Sequence, residues 1–123
     1  MSGNNLLVDT NFLIYLLNGR SFVKPYLGNN YFISERTEKE LLGVKDIPSS
    51  SLNVRLELIN NCFLVTFNSD IKEIAVMIKQ KYTIKLPDAI VAASAMYMSL
   101  PLVTADRGFS KIPGLNLQLL RLP

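Results

Sequence analysis

Short unbroken apolar runs alternate along this chain with longer stretches in which apolar residues return every three or four positions. Five runs predict strands, at residues 6–8, 31–33, 63–67, 102–104 and 117–120. Most lack polar alternation, as strands covered on both faces of a parallel sheet do. Helical spacing is clearest over residues 70–82, where Ile71, Ile74, Ala75, Ile78 and Tyr82 form one stripe while Lys72, Glu73, Lys79, Gln80 and Lys81 are polar. Ser34 can cap a helix in "SERTEKELLG", with Gly43 as its stop, and "PSSSLNVRLELINN" predicts another helix opened by a serine cap. In "LPDAIVAASAMYMSL", Pro87 suits a first helical turn, and Ala89, Ala92, Ala93 and Ala95 would let that helix lie close to a sheet. Strands alternating with helices predict an α/β fold around a mainly parallel sheet. The helix after the first strand is unusual, because Phe12, Leu13, Ile14, Tyr15, Leu16 and Leu17 make it apolar nearly all round. Such a helix is either buried on every side or supplies a protein interface.

A length of 123 residues fits one domain, and 49% apolar against 19% charged residues predicts a folded one. There is no internal repeat and no low-complexity segment. The start "MSGNNLL" has no basic leader region, and residues 89–100 are too few to span a bilayer, so a cytoplasmic location is expected. Cys62 is the single cysteine, which excludes an intrachain disulfide; within "CFLVTF" it reads as a small buried hydrophobe. The chain has no histidine. That removes Ser-His-Asp and Cys-His triads, histidine-based ribonuclease chemistry and histidine-ligated zinc. Any catalysis must use carboxylates, amines, hydroxyls or a metal held by oxygen. The net charge of +3 permits a polyanionic partner without demanding one.

Four of the ten acids stand at the ends of predicted elements. Asp9 ends the first strand, Glu40 lies in the helix after the second, Asp88 opens the alanine-rich helix, and Asp106 follows the fourth strand. Each also has a plain structural reading: Asp9 as a helix cap, Asp88 near a positive helix end, Glu40 as a solvated helix residue and Asp106 as a turn former. Their joint placement says more, since ligands of open parallel sheets gather outside the carboxyl ends of strands where the strand order reverses. Clustered carboxylates repel and raise one another's pKa unless a cation is present. Mg²⁺ and Mn²⁺ prefer such oxygen donors.

Four segments in order, "LLVDTNFLIYLL", "ISERTEKELL", "LPDAIVAASAM" and "LVTADRGF", resemble the PIN-domain ribonucleases, and VapC-type toxins of toxin–antitoxin pairs above all. The resemblance covers nearly the whole chain and places Asp9, Glu40, Asp88 and Asp106 at the family's four acid positions. It implies a single PIN domain over residues 1–123, a three-layer α/β/α fold with a five-stranded sheet, and Mg²⁺- or Mn²⁺-dependent cleavage of RNA. The four acids would hold the metal. Thr10, Asn11, Ser34 and Thr104 are candidates for orienting carboxylates or water, or else for capping and turn hydrogen bonds. Lys85, Arg107 and Lys111 are candidates for RNA phosphates, or else solvated surface charges. VapC-type proteins form homodimers held in check by a small antitoxin. The apolar first helix and the aromatics Phe22, Tyr26, Tyr31 and Phe32 offer either a surface for such a partner or core packing. The last motif departs from the family, where another acidic or polar residue often precedes the phenylalanine and here Gly108 stands.

Gly108 leaves a rival open, a PIN-like RNA- or protein-binding module without nuclease activity. A phosphoacceptor receiver domain also carries acids at strand ends, but it fits poorly. The first strand lacks an adjacent acidic pair, and no lysine follows the last strands in a Lys-Pro context.

Overall fold

The computed structural model describes residues 3–123; the first two residues of "MSGNNLL" lie outside them. Five strands, β1 (Asn5–Val8), β2 (Asn30–Ser34), β3 (Phe63–Val65), β4 (Leu102–Thr104) and β5 (Leu117–Leu119), form one sheet in the order β3-β2-β1-β4-β5. Every neighbouring pair is parallel. The helices are α1 (Thr10–Leu17), α2 (Glu35–Leu42), α3 (Ser49–Asn60), α4 (Ser69–Lys81) and α5 (Leu86–Met98), with short 3₁₀ turns at Ser21–Tyr26 and Arg107–Lys111.

Side chains of successive strand residues point to opposite faces, so each central strand feeds two cores. Leu7 and Leu102 pack with Ile71, Ala75 and Ile78 of α4 and with the alanines of α5. Leu6, Val8 and Val103 pack on the other face with Phe12, Leu13 and Leu41 of α1 and α2. The result is the expected three-layer α/β/α arrangement. Ala89, Ala92, Ala93 and Ala95 are all fully buried, and their small size lets α5 lie close against its neighbours.

The predicted caps form where a side-chain oxygen can reach a free N–H. Ser34 accepts from the Thr37 N–H at 3.1 Å, and Asp9 accepts from the Phe12 N–H at 2.9 Å. Gly43 closes α2, and a Cβ there would meet the Lys39 carbonyl oxygen at 2.7 Å, so only glycine fits.

Three expectations are corrected. Helix α3 is not opened by a serine cap: Pro48 is its N-cap and no side chain caps it. The third strand ends at Val65 rather than residue 67, and it is not covered on both faces. It lies at the sheet edge, where Phe63 and Leu64 are 53% and 46% exposed. Of the two alternatives for helix α1, burial on every side is the one excluded, since only Phe12 and Leu13 are fully buried while residues 14–17 stay partly open.

The aromatic residues after α1 do pack. Phe12 meets Tyr26 and Tyr31 edge to face at 6.1 and 5.3 Å between ring centroids, and the Tyr31 hydroxyl donates to the Tyr26 carbonyl at 2.8 Å. Phe32 stacks on Phe63 at 4.9 Å, across the β2–β3 pair that aligns the same two residues.

Candidate active site

The strand order reverses between β1 and β4, because the chain builds outward from β1 to β3 and then returns to start again beside β1. Loops leaving these two carboxyl ends diverge and open a crevice. Asp9 and Asp106 stand at those ends. The first turn of α5 brings Asp88 and the last turn of α2 brings Glu40 to the same crevice. Together with Thr10, Asn11 and Val91 the four acids line one cavity of about 170 Å³.

Asp9 is the most firmly held. Its Oδ1 accepts the Phe12 N–H, and its Oδ2 accepts the Thr104 hydroxyl at 2.5 Å. The register explains the second bond: Leu7 pairs with Leu102 and Val8 with Val103, so the next step sets Asp9 level with Thr104. Thr104 also accepts the Asp106 N–H at 3.0 Å, so one buried hydroxyl ties together both strand-end acids. Asp106 in turn accepts the Gly108 N–H at 2.8 Å. Glu40 is fixed by the Thr10 hydroxyl at 2.9 Å and faces Arg36 at 4.0 Å.

Burial pushes the Asp9 carboxyl above the usual carboxylate range, and Asp106 and Asp88 add to this, while the bonds from Thr104 and Phe12 hold it back. Asp88 is also raised, first by burial and then by Asp106 and Glu40, against the pull of Lys85. The Arg36–Glu40 contact is the only ion pair among the described residues, so Asp9, Asp88 and Asp106 have no cationic partner in their own pocket. Four carboxylates, three of them without an ion-pair partner, are hard oxygen donors that fit Mg²⁺ or Mn²⁺. Among the described residues no three of the acids already stand at ligand distance from a common point. Side-chain rotation would have to draw them in around an ion.

Of the orienting candidates, Thr10 and Thr104 bond to acids and Asn11 lines the pocket. Ser34 instead engages Thr37 through both its cap and its hydroxyl. Of the basic candidates, Lys85 and Lys111 line a cavity that includes Asp88 and Asp106. Arg107 lines a different one, with Arg121. Sequence reasoning did not assign Arg36 or Lys79 to the site. The four-residue step from Arg36 to Glu40 within one helix was the available signal for the first.

The PIN domain family model matches residues 6–115. A chain of a toxin–antitoxin complex from Klebsiella pneumoniae is 33% identical and superposes with a TM-score of 0.77, over 89% of this chain and 94% of that one. VapBC from Salmonella typhimurium, bound to DNA, gives a TM-score of 0.79 at 20% identity over 96% and 98% of the two chains. VapBC2 from Rickettsia felis, bound to a DNA fragment from its promoter, gives 0.73 at 20% over 95% and 99%. At that identity the latter two speak for the fold alone. None of the curated protein sequences matches this chain. The sheet order, the pocket built from the four motifs and the match over residues 6–115 lead to one conclusion: the chain belongs to the PIN-domain family.

Proposed function

We propose that this protein is a Mg²⁺- or Mn²⁺-dependent endoribonuclease and the toxin of a toxin–antitoxin pair. The observation that carries the reading is the convergence of Asp9, Glu40, Asp88 and Asp106, from four separate elements, on one pocket in which the three aspartates have no ion-pair partner among the described residues. Asp9, Asp88, Asp106 and Glu40 would hold the ion, which when bound supplies a more acidic water and charge stabilisation at the scissile phosphate. The chain's own part is positional. Thr104 fixes Asp9 and the backbone of Asp106 on a fully buried frame, and Thr10 holds Glu40 across from them. Rigid support of this kind keeps the acids aligned while the substrate is bound.

The 33% identity to a chain of a toxin–antitoxin complex supports a small antitoxin as partner. The half-open apolar side of α1, beside the pocket, is a suitable surface for it, and a homodimer is the expected assembly. No helix among the described residues is long and apolar enough to cross a membrane, and a cytoplasmic location suits an RNA substrate.

The test is cleavage of mixed single-stranded and structured RNA with Mn²⁺, mapping new ends, beside the Asp9→Asn variant. Discrete cuts leaving 5′-phosphates, and growth arrest on expression, are expected for the wild type only. The second reading is a binding module without nuclease activity. It is favoured by Gly108, where the family often has another acidic or polar residue, and by the spread of the carboxylates. Intact RNA together with no melting shift on adding metal would select it.

A further inference from the structure

A larger cavity, of about 450 Å³, opens beside the acid pocket and shares Asp88 and Asp106 with it. Its remaining walls carry Lys79 from α4, Lys85 before α5, Lys111 from the turn after β4, and the apolar Ile84. Two of the lysines are pinned. Lys79 Nζ donates to the Ile84 carbonyl at 2.7 Å and Lys111 Nζ to the Thr83 carbonyl at 3.0 Å. Each ammonium has three donors, so both keep two for a further acceptor. Neither forms an ion pair among the described residues. A lysine already held in place loses less side-chain freedom on binding than a free one.

Size separates the two cavities. The 170 Å³ acid pocket has room for little more than a phosphodiester and an ion, whereas 450 Å³ lies in the range of about 300–1,000 Å³ typical of small-molecule pockets. Gly108 also lines this cavity, and a Cβ there would lie 3.0 Å from Asp106 Oδ1, so glycine leaves that carboxylate uncrowded.

We propose that this cavity seats one nucleotide of an RNA strand immediately beside the phosphodiester held at the acids, with Lys79, Lys85 and Lys111 on its phosphate and Ile84 against its base. The placement next to the acids rests on the nuclease reading above; the phosphate contacts do not. Contacts to phosphate carry no sequence information, so this seat sets affinity and register rather than base preference. The cavity lined by Arg107 shares neither Asp88 nor Asp106, which favours the lysine side as the one a bound strand follows.

The test measures binding of a fluorescein-labelled single-stranded oligoribonucleotide to the full chain by anisotropy, in Ca²⁺ and across a salt series. Lys79→Gln/Lys111→Gln should weaken binding about tenfold and lower the slope of log K against log salt by about 0.7 for each lysine removed. Lys79→Arg/Lys111→Arg should restore most of both, and Lys45→Gln, at an exposed position away from the cavity, should change neither. Wild-type affinity and slope in the double glutamine variant would overturn the proposal. So would a fall in melting temperature with binding intact, which would assign these lysines to bracing the Thr83–Ile84 loop. If the lysines prove necessary for binding while Mn²⁺ supports no cleavage by the wild type, the nuclease reading fails and the seat stands. If the double variant cleaves RNA with an unchanged KM, the seat fails and the nuclease reading stands.

Discussion

Leu7 and Leu64 both sit inside apolar strands, yet Leu7 in β1 is 0% exposed and Leu64 in β3 is 46% exposed. The difference comes from sheet order. β1 lies in the middle with helices on both faces, whereas β3 lies at an edge. Helix α3, which leads into β3, has no buried residue at all. The site follows the same division, since all four acids are attached to elements that pack on the centre and none to α3 or β3. Dense packing limits side-chain and backbone movement, so a carboxylate at the end of β1 or β4 is held in a fixed place. An exposed flank has no such rigidity and is free to meet another chain.

Asp9→Asn should give the largest effect. Asparagine keeps an oxygen for the Phe12 N–H but loses the charge, so cleavage should fall on the order of a thousandfold while the fold is kept. Retained cleavage would detach the chemistry from the centre of the sheet. Leu7→Ala should come next, through stability: a fully buried leucine truncated to alanine costs about 2–5 kcal/mol. Urea unfolding measures it, and a cost below about 1 kcal/mol would mean that the centre relaxes as readily as the edge.

Thr104→Val keeps the shape of a fully buried residue while deleting the hydroxyl that donates to Asp9 and accepts from Asp106. Leaving those groups unpaired should cost about 1–3 kcal/mol, and the less rigid carboxylates should lower activity about 10–100-fold. Arrhenius-independent checks suffice here: equilibrium unfolding and cleavage at saturating metal.

Titration offers a smaller effect with a definite sign. Asp9 and Asp88 have raised pKa values in the folded state, so over that window the folded chain binds more protons than the unfolded one. Stability therefore falls as pH rises from the ordinary carboxylate value, about 4, through the raised value. Without metal, the wild type should lose stability relative to Asp9→Asn as pH rises through that window. Adding Mg²⁺ or Mn²⁺ should recover it, by about 2.7 kcal/mol at a hundredfold excess over Kd. Parallel melting curves for the two proteins at every pH would refute the raised Asp9 pKa that burial and the neighbouring acids give it.

The centre was also the legible part of the sequence. Continuous apolar runs at β1 and β4, each followed by an acid, pointed to two strands and to two acids that line the candidate pocket, and Ser34 and Gly43 bounded α2 from local chemistry alone. The bond between Thr104 and Asp9 joins residues 95 apart in sequence, and it depends on the β1–β4 register, which no local pattern records. Arg107 and Lys111 lie four apart yet line different cavities, because the 3₁₀ turn between them sends the two side chains to different sides. The edge position of β3 was hidden for a similar reason. Its run "FLV" is as apolar as any central strand, and burial there depends on which elements arrive beside it.

Leu64→Ala tests that last point at the smallest scale. If the monomer is the stable unit, an apolar residue with 46% of its surface open makes few contacts to lose, and truncation should change unfolding free energy by less than about 0.5 kcal/mol. If β3 and the exposed Val54 and Leu56 of α3 are instead covered by a partner, the same change should weaken association while leaving dilute-solution stability alone. Unfolding measured across a protein concentration series separates the two. A loss that grows with concentration makes the flank an interface, and one near that of Leu7→Ala at every concentration would erase the distinction between edge and centre.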